Sequence, residues 1–407
     1  MSREEYIDSI RSNISKDQQG LAMRSTVYDE YERYSSWKTK GEMIDIHDQV
    51  LHILADKAIQ KISLFDAAYF DEIQDFSYAS IYLLCKLSGR INSSWIFAGD
   101  TAQMIAVGCS FKFDGLKQTL LAVTPGIESR LKKVHHLLIN YRTTADVLRV
   151  GNIILDLAKK YFPNSIEYAQ PEQATKDNNI KVVWCAWNDA FQIQNLSFGD
   201  NQALLCGADE NGISKLIEAS NEWLSNHPFI LTTVDSKGLE FDDVVVAFDF
   251  KRNAWKIDKG EPISLNLLRQ LYVAVTRAKQ RVVILVNEGL SVMKDFFCNF
   301  CQIPYSDSKI LLTEFDTRTS KEDWLLRGHK LFDNEEYLFA SKCFQKGGCA
   351  EWELWALGRY YSRTISNQKA SDHLRRCLGE FCNKGDYELG MIFFCCFWCL
   401  NAKIYPY

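Results

Sequence analysis

The chain has 407 residues, 47% hydrophobic and 24% charged, a globular composition that excludes wholesale disorder and on length suggests two or three domains. Its formal net charge of −5, from 47 Lys and Arg against 52 Asp and Glu, gives no overall basic field, so any nucleic-acid binding needs a local groove. Thirteen scattered cysteines suit a reducing compartment better than a disulfide framework, and a charged N-terminus (MSREEYIDSIRSN) and no apolar run near the roughly 20 residues that span a bilayer argue against a signal peptide and a membrane span, leaving a soluble, intracellular (nuclear or cytoplasmic) multidomain protein as the expectation.

Residues 1–60 read as helix, with Ile44, Val50, Leu51, Leu54, Ala55, Ala58 and Ile59 recurring at helical spacing. From about residue 65 the texture changes to short β-branched and aromatic runs: Ala67–Phe70, Trp95–Ala98, Val134–Ile139, Lys181–Trp184, Ala203–Cys206, Phe229–Leu231, Val244–Ala247 and Val282–Val286. Buried strands of this kind, alternating with helical stretches, specify an α/β fold with a largely parallel sheet. The polar stretch Tyr168–Asn179 reads as a surface loop, and beyond about residue 290 helix takes over. The expected organisation is a helical segment over 1–62, α/β portions over 63–130 and 131–290, and an all-α tail over 291–407.

The residues that carry chemistry gather at strand ends. Asp71-Glu72-Ile73-Gln74-Asp75 follows the first run. An Asp-Glu pair delivered from a strand into a loop suits a nucleotide triphosphatase, the Asp holding Mg2+ and the Glu orienting and deprotonating the attacking water. Taken alone, the pair reads more readily as a strand end with acidic loop residues. The next run ends in Gly99-Asp100-Thr101-Ala102-Gln103, which sets a carboxylate and an amide at the same sheet edge, where the amide can sense a γ-phosphate. Asn140-Tyr141-Arg142 follows Val134–Ile139, TTVDSKGLEF (Thr232 to Phe241) follows Phe229–Leu231, and LYVAVTRAK (Leu271 to Lys279) precedes Val282–Val286.

In this order DEIQD, GDTAQ, NYR, TTVDSKGLEF and LYVAVTRA resemble motifs II to VI of the UvrD/Rep-like superfamily-1 helicases, over about residues 65–290. The resemblance implies RecA-like P-loop NTPase lobes, the first incomplete and the second complete, that close on ATP and Mg2+. It implies an ATP-dependent helicase or translocase acting on single-stranded or duplex nucleic acid, with DNA the expected track. Asp71 would then bind Mg2+, Glu72 would be the catalytic base, and Gln103 would contact the γ-phosphate and couple it to DNA. Tyr141 would stack on adenine, and Arg142 and Arg277 would clamp the transferring phosphoryl group. Fixed guanidinium donors stabilise charge building on phosphoryl oxygens, an effect of about 10³–10⁵ in rate. Lys237 to Glu240 resemble the loop linking the nucleotide cleft to the nucleic-acid track, Glu240 on the nucleotide side and Lys237 on the nucleic-acid side. Phe111 and Phe113, flanking Lys112, stand about where relatives place an aromatic that stacks on a base. The long spacer Met104–Ser110 leaves core packing as an equal alternative.

The chain also departs from that family. No G-x-x-x-x-G-K-[ST] occurs in the 407 residues, so the backbone cradle and lysine that hold β- and γ-phosphates have no counterpart. Only 70 residues precede DEIQD, and Tyr28–Ile59 resembles the family's insertion before that motif. The expectation is a helicase core entered part-way through its first lobe, whether truncated product, fragment or decayed enzyme, with no ATPase activity by itself. Asp235 stands where the family often has His, and about 90 residues between NYR and TTVDSKG are too few for a full UvrD-type insertion. The competing expectation is a non-catalytic helicase-like scaffold whose helical tail binds protein partners. In that tail Trp324, Gly328, Ala340 and Phe344 match the tetratricopeptide pattern in type and spacing, with a generic helical hairpin as the alternative. A superfamily-1 core followed by such repeats resembles the large eukaryotic proteins that combine tetratricopeptide and ankyrin repeats with a helicase-like module. Cys298-x-x-Cys301 and Cys396-x-x-Cys399 lack knuckle glycines and read as reduced core thiols, and His135 and His136 as structural residues on a strand.

Overall fold

The computed structural model describes residues 2–8, 18–56, 66–88, 94–105, 111–124, 126–163, 165–167, 170–176, 182–186, 198–207, 227–248, 265–286, 295–300, 302–305, 319–363 and 367–383. The chain divides into two compact units, Met1–Gly99 with Cys109–Lys132 and Asp100–Gly108 with Lys133–Tyr407. No helix among the described residues is long and apolar enough to cross a membrane.

The first unit runs α1 (Arg3–Asp8), α2 (Gln18–Lys40), α3 (Ile46–Ala55), β1 (Ala67–Phe70), α4 (Tyr78–Leu87), β2 (Ser94–Phe97) and α5 (Phe113–Val123). Asp45 starts α3 through a capping box with Asp48, and Ser77 caps α4, so each helix begins where a side chain can satisfy its first N–H groups. β1 and β2 pair in parallel with Phe70 opposite Phe97, whose rings stack at 4.8 Å. Ile81, Cys85, Leu116 and Leu120 are buried on the facing sides of α4 and α5.

The second unit holds β3 (Ile139–Thr144), α6 (Ala145–Tyr161), β4 (Gln173–Lys176), β5 (Val182–Ala186), β6 (Gln202–Cys206), β7 (Ile230–Thr232), β8 (Phe241–Phe248), α7 (Leu265–Thr276) and β9 (Ala278–Val286). Its main sheet is wholly parallel among the described residues, in the order β5-β9-β8-β6-β7. Val244, Val245 and Val246 of β8, and Val282, Val283 and Ile284 of β9, are buried on alternate faces, which is why these strands read as unbroken apolar runs. α6 lays Val147, Val150, Ile154 and Ala158 against this core, and α7 is buried without a break from Gln270 to Thr276.

Among the described residues four α-helices follow: α8 (Lys321–Asp333), α9 (Tyr337–Gly347), α10 (Ala350–Arg363) and α11 (Asn367–Asn383). A β-carbon on Gly328 would lie 2.7 Å from the Phe344 ring, so the glycine lets α8 and α9 approach closely. Trp324, Ala340 and Phe344 belong to the same buried cluster as Phe229, Phe241 and Val244 of the sheet. The tail's first hairpin is therefore part of the sheet's own core.

Two expectations are corrected here. No strand covers Val134–Ile139; the strand is Ile139–Thr144, so Asn140, Tyr141 and Arg142 lie on it rather than after it, and His135 and His136 are exposed in irregular backbone. The reason is pairing: β3 lies beside β4, which falls within the polar stretch expected to be a loop. The described cysteines are thiols, and burial pushes Cys85, Cys343 and Cys377 up to about 12 each. Cys298 accepts a hydrogen bond from the Trp184 indole at 3.4 Å, a core contact; Cys301, Cys396 and Cys399 lie outside the described residues.

Candidate functional site

In the first unit the chain turns sharply as it leaves β1. Glu72 adopts the left-handed conformation, φ 49° and ψ 39°, and opens a short 3₁₀ turn over Ile73–Asp75. The Asp71 carboxylate accepts the Glu72 N–H at 2.9 Å, and the buried Gln74 amide donates to the Glu72 carboxylate. The Ile73 N–H reaches across to the Ala98 carbonyl at 3.0 Å, tying this corner to the end of β2. A β-carbon on Gly99 would stand 2.7 Å from both Ile73 and Gln74, so only glycine fits between the two strand ends. The result is two adjacent, exposed carboxylates on a braced corner.

The next residues belong to the second unit. Asp100 caps the 3₁₀ turn Thr101–Gln103 by accepting the Ala102 N–H at 2.8 Å, and its other oxygen accepts the Gln103 amide at 3.0 Å. The Gln103 carbonyl in turn accepts a hydrogen bond from Arg277 Nη2 at 3.1 Å. Arg277, only 3% exposed, sits where α7 passes into β9 and also donates from Nε to the Val273 carbonyl at 3.3 Å. A carboxylate, a carboxamide and a guanidinium thus stand in series.

A second cationic group centres on Glu240, which pairs with Arg142 Nε at 3.1 Å and Lys279 Nζ at 2.9 Å. Burial raises the Glu240 carboxyl, but the Lys279 hydrogen bond and the charges of Arg142, Lys279 and Arg277 outweigh it, for a net lowering. With side chains 37% exposed on each side, the Arg142 pair contributes at most about 1 kcal/mol, enough to orient the guanidinium without locking it. Asn140 shapes the strand here, its carbonyl accepting the Arg142 and Thr143 N–H groups at 2.9 and 3.0 Å. Tyr141 is 71% exposed and offers a ring face.

The loop from Thr232 to Glu240 is held by its own side chains. Thr232 donates to the Asp235 carboxylate at 2.6 Å and accepts the Asp235 N–H at 3.0 Å, Ser236 donates to the Thr233 carbonyl at 2.8 Å, and Gly238 supplies φ +79°. Lys237 is half-exposed on it. Phe111 is corrected: at 2% exposure it stacks on Tyr78 and meets Phe113 edge-on at 5.2 Å, so it offers no face to a base. Phe113 is half-buried in the same contact.

The structure joins Asp71 to Glu72, Gln103 to Arg277, and Arg142 to Glu240. Lys279, Asn140 and Gln74 complete these groups; each stood inside a quoted motif, but only the fold shows what it holds. Among the described residues no cluster of three or more His, Cys, Asp or Glu could hold a metal. Mg2+ needs less, since one or two protein carboxylates with substrate phosphates suffice, and Asp71 with Glu72 meets that requirement.

No family model matches the chain. It is 26% identical over 415 aligned residues to TPR and ankyrin repeat-containing protein 1 of Homo sapiens, a match that takes in 86% of this chain and 14% of that protein. Among solved structures it is similar to an arterivirus nonstructural protein 10 helicase, at TM-score 0.26 and 16% identity over 53% of this chain and 38% of the other. It is also similar to the C-terminal domain of a possible DNA helicase from Lactobacillus plantarum WCFS1, at TM-score 0.20 and 15% identity over 36% of this chain and 88% of the other. At these scores the superpositions are partial, and the ordered motifs with their contacts carry the functional reading.

Proposed function

We propose that the chain carries part of an ATP-driven nucleic-acid motor of the UvrD/Rep-like superfamily-1 type, built on RecA-like lobes, with DNA as its track. In this reading Asp71 holds Mg2+, which supplies charge neutralisation at the phosphates, and Glu72 takes a proton from the attacking water. Tyr141 stacks on adenine, Gln103 reports the γ-phosphate, Arg142 and Arg277 stabilise the transferring phosphoryl group, and Lys237 meets the nucleic-acid backbone. The observation that carries the reading is the Gln103–Arg277 hydrogen bond, in which residues of two motifs 174 positions apart meet at 3.1 Å. An amide wedged between Asp100 and Arg277 can pass a change at one to the other, as a γ-phosphate sensor must.

A second reading has its own observation. Without a G-x-x-x-x-G-K-[ST] among the 407 residues, the chain by itself lacks the cradle for β- and γ-phosphates and serves as a helicase-like scaffold whose tail, read as tetratricopeptide-like, holds protein partners. Both readings expect no ATP hydrolysis from the isolated chain; they divide over adenine-nucleotide binding. Tyr141→Ala separates them, because an exposed ring can be removed at a stability change within about 0.5 kcal/mol. On the motor reading this variant binds a fluorescent ATP analogue about tenfold more weakly. Equal affinity in parent and variant, or no binding in either, would favour the scaffold.

A further inference from the structure

The tail's first hairpin meets the Thr232–Glu240 loop along its length. Arg327 of α8 donates from Nη2 to the Glu240 carbonyl at 2.8 Å. Its guanidinium lies over two rings of the sheet, 5.5 Å from the centre of Phe229 and 5.6 Å from that of Phe241. Its Nε is buried and has no hydrogen-bond partner, so the backbone contact is the group's principal polar anchor. Further along, a β-carbon on Gly238 would lie 3.9 Å from a carboxylate oxygen of Glu336, and Asp235 lies within electrostatic reach of Lys342 on α9. Residues of the hairpin thus face the loop at Asp235, Gly238 and Glu240 alike.

We propose that Arg327 is a positioning residue for Glu240, and that through it the tail hairpin sets the geometry in which Glu240 holds Arg142 and Lys279. A charge-assisted hydrogen bond to a carbonyl fixes the residue that carries it more firmly than a neutral one. Glu240 is where such fixing matters, because its side chain bridges two cations while its main chain is held from the tail. A protein that binds the tail and shifts α8 would move the Arg142 guanidinium without touching it. The meaning of that movement for phosphoryl transfer rests on the role proposed above for Arg142; the mechanical link does not.

The test is amide hydrogen exchange on the full 407-residue chain, parent against Arg327→Met, which keeps the apolar stem and removes the donors. The amides to follow are Lys237, Leu239 and Phe241, bonded to the carbonyls of Val234, Ser236 and Arg277. Loss of one charged hydrogen bond predicts about 10- to 100-fold faster exchange there, with Ala340 and the rest of α9 unchanged. An unchanged loop overturns the proposal, and so does equal loosening of loop and hairpin, which would make Arg327 ordinary structural support. Should Arg327→Met fail to fold, Arg327→Gln, which removes the charged donor, carries the same comparison. Adding ATP to the parent chain separates this from the function proposed above: unaltered loop exchange would count against the nucleotide role of Glu240 and leave the Arg327 result to stand or fall alone.

Discussion

Between pH 6.5 and 4 the second unit is expected to lose stability through one buried imidazole. His227 is 6% exposed, and its Nδ1 accepts the Phe229 N–H at 3.2 Å, while Nε2 faces the Phe198 carbonyl at 3.2 Å. The ring is wedged among Phe198, Phe229 and Trp324. This arrangement suits only the neutral tautomer with its proton on Nε2; a second proton on Nδ1 would oppose the Phe229 donor. Burial accordingly lowers its pKa from 6.5 to about 4. Because the folded value is depressed, the unfolded chain binds the proton first, so stability falls as the pH drops through this window. The expected loss is about 2 kcal/mol at pH 5 and about 3 kcal/mol near pH 4, relative to neutral pH. Urea unfolding followed by tryptophan fluorescence at a series of pH values measures it, with His227→Gln as the reference that keeps polar groups but does not titrate. Subtracting one curve from the other cancels the carboxylates. If parent and variant lose stability in parallel from pH 6.5 to 4, the neutral-imidazole account is wrong.

Gly328→Ala forces a methyl against the Phe344 ring at 2.7 Å, an overpacking cost of about 1–3 kcal/mol that exceeds or cancels the roughly 1 kcal/mol gained in helix propensity. Gly379→Ala, with nothing within 4 Å, keeps that gain, so exchange protection in the tail should separate the two variants by about 1–3 kcal/mol; equal stabilisation would contradict the close approach. Phe111→Ala is expected to cost about 3–5 kcal/mol in unfolding experiments while leaving the single-stranded DNA affinity of the folded chain unchanged in fluorescence anisotropy; lost affinity at full stability would return Phe111 to the nucleic-acid track. Alkylation read by mass spectrometry should reach the half-buried Cys349 well before Cys85, Cys343 or Cys377, whose burial keeps them protonated; rapid labelling of Cys343 would mean that the α8–α9 hairpin opens.

The sheet was legible where burial writes itself into composition. β8 and β9 are flanked on both faces, so their apolar runs needed no context. β3 and β4 were not legible, because a polar strand such as Gln173–Lys176 is specified by its neighbour rather than by its own residues, and VHHLLI mimics a strand although only its last residue, Ile139, lies on one. Motif residues could be named from order and spacing, but their partners could not. Nothing near Glu240 in the sequence announces Arg327, 87 positions away, and nothing marks His227 as the residue on which the tail's Trp324 rests. Both are contacts of tertiary packing, invisible to periodicity. The core placement of Phe111 was also a tertiary matter, settled by the Tyr78 ring that α4 brings beside it.

The left-handed backbone at Glu72 bears on what this corner is for. A side chain with a β-carbon in that conformation costs about 1 kcal/mol or more, and glycine would adopt it without strain. Were position 72 only a bend between a strand and a turn, folding would be better served by losing the carboxylate. A single codon change could make that exchange, and a chain drifting without use would gain stability by taking it. On the motor function proposed above, the strain is what the chain bears to hold the Glu72 carboxylate at this corner beside Asp71.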